Sequence, residues 1–431
     1  MFKTIIDAFK IKEVRRKIFI TLLLLFIFRV GCWLPIPGIM KDVFQSSVEA
    51  DQNGFLGLLS TLSGGALSNA SILALGVSPY INASIIIQLL QVAIPRLDDI
   101  AKSGEDGRKK INFYTRIAAL IMAIAQAIGI TISLSNNTLF DTRLWGSMAG
   151  LAPVFTVIIL VAGSMFTVWL GERITETGIG NGLSLLIFVG ILSSAGTAIL
   201  GAITSISTNI EYLWNLLIFF VAVIVVFALI IFIDGAERKI PVQYAKQVKG
   251  RKTYNGQSNC IPVRVNGSGV MPIIFASALL SMPYMLISMF WPDAAEGYNK
   301  VLGSGTWLYI VLTALLILFF TYFYAQITFK PEDISKNIQQ GGGFIEGVRP
   351  GKDTTNYIAK ISKRITLFGA IFLAFIALVP SVVFTLVGGD LTILTSAFSA
   401  TGMMIVVSVA LEFQKQLESQ MITRNYKGFL N

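Results

Sequence analysis

The sequence predicts an all-α polytopic membrane protein: ten transmembrane helices in two inverted five-helix halves, with a re-entrant segment in the first half. Three observations predict it. Ten apolar stretches are each about long enough to cross a bilayer. The loops between them sort charge by side. A short pattern recurs in the second stretch of each half.

The stretches are 18–34, 70–94, 117–134, 151–170, 179–203, 213–233, 269–291, 307–329, 365–387 and 391–411. A helix needs roughly 20 apolar residues to cross the hydrocarbon core. Ten crossings put both termini on one side. With the N-terminus inside, the outer loops hold three basic residues, Lys41, Arg143 and Lys300. They hold eight acidic ones: Asp42, Glu49, Asp51, Asp141, Glu211, Asp293, Glu296 and Asp390. Every other basic residue except Arg29 falls inside, and Lys/Arg excess marks the cytoplasmic face. Both termini are therefore expected in the cytoplasm.

The first span has a basic flank but runs into Pro35 and Pro37, not a small-residue cleavage site, so it reads as a retained span. The second is irregular. Residues 52–95 carry no charge, which is too long for one crossing. Two crossings would put Arg108, Lys109 and Lys110 outside, against the charge rule. One crossing plus a re-entrant or capping segment fits better. Ser63-Gly64-Gly65-Ala66 and Gly76-Val77-Ser78-Pro79 supply the breaks. Residues 54–75 then read as a short outer-side helix. Ser60, Ser63, Ser68, Asn69 and Ser71 make it a poor lipid-facing segment, so it is expected inside the protein, over a cavity. An ordinary outer loop carrying a surface helix is the competing reading.

Gly76-Val77-Ser78-Pro79-Tyr80-Ile81-Asn82-Ala83-Ser84 matches Gly269-Val270-Met271-Pro272-Ile273-Ile274-Phe275-Ala276-Ser277 at Gly, Val, Pro, Ile, Ala and Ser. These are the second spans of the two halves. An odd number of crossings per half inverts the second half, and such repeats put the functional site at their interface. Val77, Ile81 and Ile274 then occupy related places near the axis, and all are apolar. A solute transporter or ion channel would show polar or charged groups at the midplane. The spans hold no Asp, Glu or Lys; Arg29 is the one charge within them. Arg29 allows a buried network, but snorkelling or pairing at a helix end is the expected role.

Of 431 residues, 54% are hydrophobic and 13% charged, about half the charged share of a soluble domain, so the net charge of +10 is concentrated in few loops. Such a face attracts anionic lipid, acidic protein or RNA. The chain has no histidine. Serine–histidine and histidine-ligated metalloprotease chemistries are thereby excluded, and no intramembrane aspartate pair offers another. Cys32 and Cys260 fall on opposite sides, so they cannot pair, and no metal site or cofactor is indicated. No phosphate-binding G-x-x-x-x-G-K-[ST] run is present, so nucleotide energy would be used by another protein.

At this point the residues resemble a family. SGGALSNASILALGVSPYINASIIIQLL within 55–90, WLGERITETGIGNGLSLLIF at 169–188, ERKIPVQYAKQVKGRK at 237–252 and GFIEGVRPGKDT at 343–354 are similar to the SecY/Sec61-alpha family. These are the central subunits of protein-conducting channels, and the resemblance runs nearly end to end. It implies a hinged ten-helix clamshell in the bacterial plasma (cytoplasmic) membrane. Unfolded secretory polypeptides cross it, and membrane-protein segments leave sideways into lipid. Halves at 1–205 and 206–412 and a cytoplasmic tail at 413–431 follow.

By the same resemblance an apolar pore ring falls on Val77, Ile81, Leu183, Ile187, Ile274 and Ile405. A plug falls on about 55–75, including Phe55, Ser63, Gly64, Gly65 and Leu75. A lateral gate, where the second and third spans face the seventh and eighth, includes Asn82 and Met282. Two large basic loops, at about 234–268 and 330–364, imply docking of the ribosome and the SecA motor ATPase through Lys246, Lys249, Arg251, Lys252 and Arg349. SecE and SecG subunits, signal sequences, translocating polypeptides and anionic lipids complete the implied partners. No catalytic residue is implied. The competing class is an inverted-repeat secondary transporter of a small solute.

Overall fold

A computed structural model describes the chain except residues 1–8, 51–54, 136–139, 141–149, 207–211, 245–246, 250–251, 255–257, 268, 291, 304–305, 388–399 and 428–431. Lys246, Arg251, Arg143 and the first part of the tenth predicted span, 391–399, therefore lie outside the described residues.

In chain order the helices are α1 (Lys12–Gly31), α2 (Lys41–Ala50), α3 (Phe55–Ser63), α4 (Ser78–Ala93), α5 (Pro95–Lys102), α6 (Glu105–Ser135), α7 (Ala152–Thr177) and α8 (Gly182–Ile206). Then come α9 (Tyr212–Asp234), strands β1 (Glu237–Tyr244), β2 (Gln247–Lys249), β3 (Lys252–Tyr254) and β4 (Ser258–Arg264), and α10 (Met271–Phe290). The chain continues with α11 (Pro292–Leu302), α12 (Trp307–Thr328), α13 (Pro331–Gln340), β5 (Gly343–Phe344), α14 (Lys352–Val387) and α15 (Ala400–Lys427). Each of the ten predicted spans meets a helix: α1, α4, α6, α7, α8, α9, α10, α12, α14 and α15. Among the described residues six helices are long and apolar enough alone to cross a membrane, and the bent pair α4–α5 makes seven. Large apolar side chains such as Phe26, Trp33, Phe232 and Phe319 lie exposed along the outward faces. In water such patches would drive association; in a bilayer they face lipid.

Three apolar cores run through the bundle. One, in the second half, joins Phe219, Phe275, Ile317, Phe320 and Leu373, with the Phe275 and Phe320 rings edge-on at 5.5 Å. The first half contributes Ala195, Ala198 and Ala202 of α8 to it, and Ile85 of α4 packs onto it. The second, on the outer side of the first half, joins Ile36, Phe44, Leu59, Leu67, Leu75 and Leu160. The third lies between them and holds the candidate site.

Helix boundaries differ from the expectation in the second span. The outer helix read over 54–75 is helical only at Phe55–Ser63. Gly64, Gly65 and Gly76 adopt φ of +70°, +79° and +53°, and Ala70 +49°, so the chain from 64 to 77 runs in turns. Left-handed backbone ends a helix. The crossing then starts at Ser78, with Pro79 in its first turn, instead of residue 70. It ends at a 105° bend into α5. Arg108, Lys109 and Lys110, expected in a loop, lie on the first turns of α6.

The irregular stretch is not short of hydrogen bonds. Ile72 N–H donates to Leu34 O and Ile36 N–H to Ala70 O, both at 2.9 Å, tying it to the segment after α1. Ser164 Oγ on α7 donates to Gly76 O at 3.2 Å. Backbone polar groups at membrane depth need such internal partners.

The loop expected at 234–268 contains a sheet. β1 pairs antiparallel with β4, Glu237 opposite Arg264 through Gln243 opposite Ser258, and β5 adds to the far end of β1. Ile240, Val242 and Val263 point inward onto Ile338 of α13, Ile345 and Ile358 of α14. The two basic loops thus share one small core.

Close approach in the first half depends on Gly163 of α7: a Cβ there would lie 2.0 Å from Ile72 O. Gly163→Ala should push the 64–77 segment off α7 and lower stability by about 1–3 kcal/mol. Thermal unfolding of the detergent-solubilised protein checks this, and an unchanged midpoint would mean the contact is slack.

Candidate functional site

The site begins with two turns of one design. Gly76 and Gly269, at φ +53° and +63°, each precede the first residues of a helix, α4 and α10. In both, the valine carbonyl accepts the first helical bonds: Val77 O from Ile81 N at 3.1 Å, and Val270 O from Ile274 N at 3.2 Å. Pro79 and Pro272 follow at equal spacing. The recurring sequence pattern is thus a recurring backbone shape, and it delivers Ile81 and Ile274 one turn inside each helix.

A third turn sets α8. Gly178 ends α7, and Gly180 adopts φ +93°. Asn181 caps α8, its Oδ1 accepting from Leu183 N at 3.2 Å, and Gly182 N donates to Thr175 Oγ1 at 2.9 Å. A Cβ on Gly182 would lie 1.9 Å from Gly171 O, so only glycine lets α7 and α8 meet this closely. Thr21 Oγ1 of α1 accepts from Ile179 N at 3.1 Å and holds the turn against the first helix. Leu183 and Ile187 follow on the first two turns of α8.

The structure brings all six predicted ring residues into one apolar cluster. Val77, Ile187 and Ile405 are buried in it, and Ile81, Leu183 and Ile274 pack against it half-buried. They come from α4 and the turn before it, α8, α10 and α15, hence from both halves. Ala66 and Leu73, from the turns between α3 and α4, belong to the same cluster.

Beside the cluster lies a cavity of about 600 Å³, lined by Tyr80 and Leu183 and otherwise mostly by polar groups such as Asn112, Glu172, Asn181 and Gln416. Arg116 Nε of α6 donates to Glu172 Oε1 of α7 at 2.7 Å across its wall. Lys17 near the start of α1 also lines it, which puts the cavity on the face assigned by charge to the cytoplasm. The arrangement is a mixed-charge cavity that meets the aliphatic cluster at Tyr80 and Leu183.

On the outer side of that contact stand the predicted plug residues. Ser63 and Leu75 are buried, and Gly64 and Gly65 form the turn after α3; Phe55 opens α3. α3 packs against α8 and α10. Arg29 turns inward and forms a network at a helix end: Nη1 donates to Gly64 O, just past α3, at 3.1 Å and Nη2 to Ser193 Oγ.

Asn82 lies half-buried on α4, and Met282 lies on α10 next to the internal Pro283. α10 meets α6 of the first half and α12 of the second. In the basic loops, Lys249 and Lys252 face each other in the β2–β3 pairing. Arg349 is exposed on the turn after β5, where its carbonyl accepts from Thr354 Oγ1 at 2.8 Å. Gly347 and Gly351, at φ +79° and +100°, shape that turn. Neither cysteine forms a disulfide; Cys32 is buried and Cys260 exposed. The described residues contain no group of three His, Cys, Asp or Glu placed to hold a metal.

Sequence reasoning missed Thr21, Asn181, Ser193 and the Arg116–Glu172 bridge. The partners of Thr21, Ser193 and the bridge lie far away in sequence, whereas Asn181 caps its own neighbours, and the Gly-x-Gly-Asn-Gly run is the local signal that marks its turn.

A family-wide sequence profile described as SecY matches residues 71–414. The protein translocase subunit SecY of Halalkalibacterium halodurans is 40% identical, over all of both chains. That of Thermus thermophilus is 39% identical over 100% of this chain and 98% of the relative, and that of Escherichia coli K12 39% over 97% and 94%. Among solved structures, one described as a protein conducting channel aligns with TM-score 0.67 at 17% identity, covering 95% of this chain and 93% of the other. Sec61 from a canine ribosome-channel complex aligns with TM-score 0.63 at 16% identity and the same coverage.

Proposed function

The chain belongs to the SecY family of protein translocase subunits, and on that premise we propose how this channel subunit closes, opens and is driven. Its pore closes at Val77, Ile81, Leu183, Ile187, Ile274 and Ile405. The convergence of these six on one apolar cluster, which a polar cavity reaches at Leu183, carries the reading. Aliphatic contact excludes water and ions, and parts without leaving a donor or acceptor unpaired. A passing chain of any composition finds no fixed polar partner to hold it. The segment at about 55–75 acts as a plug; a SecY whose plug domain stabilises the closed state aligns with this chain at TM-score 0.63.

The seam where α4 and α6 face α10 and α12 serves as the lateral gate. A signal sequence is itself an apolar helix, worth on the order of 0.3–0.6 kcal/mol per Leu-type residue on the insertion scale. A gate open to lipid sorts it by that quantity. The halves are 1–205 and 206–412, with the tail 413–431 and both termini in the cytoplasm of a bacterium. The channel carries no chemistry of its own, and energy comes from partners.

Those partners dock on the shared fold of the two basic loops. Sec61 and Ssh1 structures among the neighbours are ribosome-bound, which supports a ribosome site on this face. Lys246, Lys249, Arg251 and Lys252 suit RNA phosphate or an acidic protein. Arg349, held at a glycine-shaped turn, suits a bidentate carboxylate of the SecA motor. SecE and SecG pack on the outer faces, and anionic lipid lines the basic side.

The central test is electrical. Ile81→Gly with Ile274→Gly should raise the ion conductance of resting membranes severalfold; unchanged conductance would remove the collar from the seal. Cysteines at Asn82 and Met282 should crosslink and block export, and free transport with the bond formed would reject this gate. Arg349→Glu should impair motor-driven export more than insertion of ribosome-bound membrane proteins. Equal loss of both would deny Arg349 a special part.

A further inference from the structure

Arg29 is the one charge within a predicted span, and neither the collar nor the basic loops use it. Its guanidinium reaches inward to the end of α3. Nη1 donates to Gly64 O at 3.1 Å and Nη2 to Ser193 Oγ on α8. The last carbonyls of a helix have no partner within it and carry the negative end of its dipole, so a cation is favourable there. Two more groups reach the same end. Ser194 Oγ lies 3.5 Å from Thr61 O as a donor, and Cys32 Sγ lies 3.9 Å from Ser63 O. Gly64 fits only as glycine: at φ +70°, a Cβ would stand 2.6 Å from Arg29 Nη1 and 2.6 Å from Gly190 Cα. The end of α3 is thus pinned between α1 and the backbone of α8.

We propose that Arg29 is a positioning residue for gating: it clasps the C-terminal end of α3 and so sets how apolar a signal sequence must be to open the channel. The inference rests on the plug reading above. Withdrawing α3 must break a part-buried, charge-assisted hydrogen bond, and such bonds are roughly twice as strong as neutral ones. Arginine suits the task because its planar fork reaches plug and wall together, which a lysine ammonium on one stem does not. The acceptors are a carbonyl and a hydroxyl, not a carboxylate. The clasp therefore holds without a buried ion pair that would resist opening altogether.

The test uses the complete translocase in membrane vesicles, with Arg29→Met, Arg29→Lys and Ser193→Ala. Thr61→Cys with Ser194→Cys reports plug position by crosslinking. Arg29→Met should cut resting crosslinking severalfold. It should raise export of a preprotein with a shortened apolar signal by on the order of tenfold, with a far smaller effect on the intact preprotein. Arg29→Lys should fall between, and Ser193→Ala should shift both readouts slightly in the same direction. Wild-type behaviour of Arg29→Met in both readouts overturns the clasp. Raised export with unchanged crosslinking overturns it too, because the residue would then loosen the bundle elsewhere. Should Arg29→Met fail to assemble, Arg29→Lys and Ser193→Ala decide by the same two readouts. The plug reading is judged apart: with Arg29 intact, the Thr61→Cys to Ser194→Cys bond should block export. Export through the bonded channel removes the plug itself, whereas an inert Arg29→Met removes only the clasp.

Discussion

Contact among aliphatic side chains from both halves is the constraint around which the rest is arranged. A seal made of hydrogen bonds would have to be unmade donor by donor, each left unpaired costing about 1–3 kcal/mol. A seal made of Val77, Ile81, Leu183, Ile187, Ile274 and Ile405 asks only that surfaces separate. That need explains why the two glycine-valine turns place Ile81 and Ile274 as they do, and why α7 and α8 meet at glycines. It also explains why the polar groups of the cavity stop at Tyr80 and Leu183.

An apolar seal is undiscriminating, so selectivity has to come from what surrounds it. The 64–77 segment is irregular backbone inside a membrane protein, and its bonds to residues 34 and 36 and to α7 show what such backbone requires. Its polar partners are spread along it, at Gly64, Ala70, Ile72 and Gly76, while Ala66 and Leu73 pack on the collar. On the other face, the β4-β1-β5 sheet and α13 make one body of two loops. Force applied at the Arg349 turn therefore reaches β1 and β4, which continue into α9 and, through Val265 packed on Gly369, toward α10.

Much of this was legible in the sequence because the bilayer imposes a coarse rule. Each apolar run meets a helix among the described residues, though the second starts later than expected, and the Gly-Val-x-Pro repeat proved to be one backbone shape used twice. The six ring residues, assigned by resemblance, converge in space. What stayed illegible depends on partners distant in sequence. Strand pairing of β1 with β4 hid behind Pro241 and Pro262, residues that ordinarily argue against a strand. They are tolerated because β5 pairs only with Gln243 and Tyr244, leaving Pro241 without a neighbour on that side. The helix read over 54–75 was shortened by left-handed turns that composition hints at but does not locate. The partners of Arg29 could not be named from sequence, because its acceptors lie 35 and 164 residues away.

The most direct measurement is site-specific photo-crosslinking of an arrested secretory chain to probes at Ile81, Ile187 and Ile274. The account expects adducts from all three, because a threaded chain must touch each side of the collar at once. Adducts confined to outward positions such as Phe232 and Phe319, with none from the three collar sites, would contradict it.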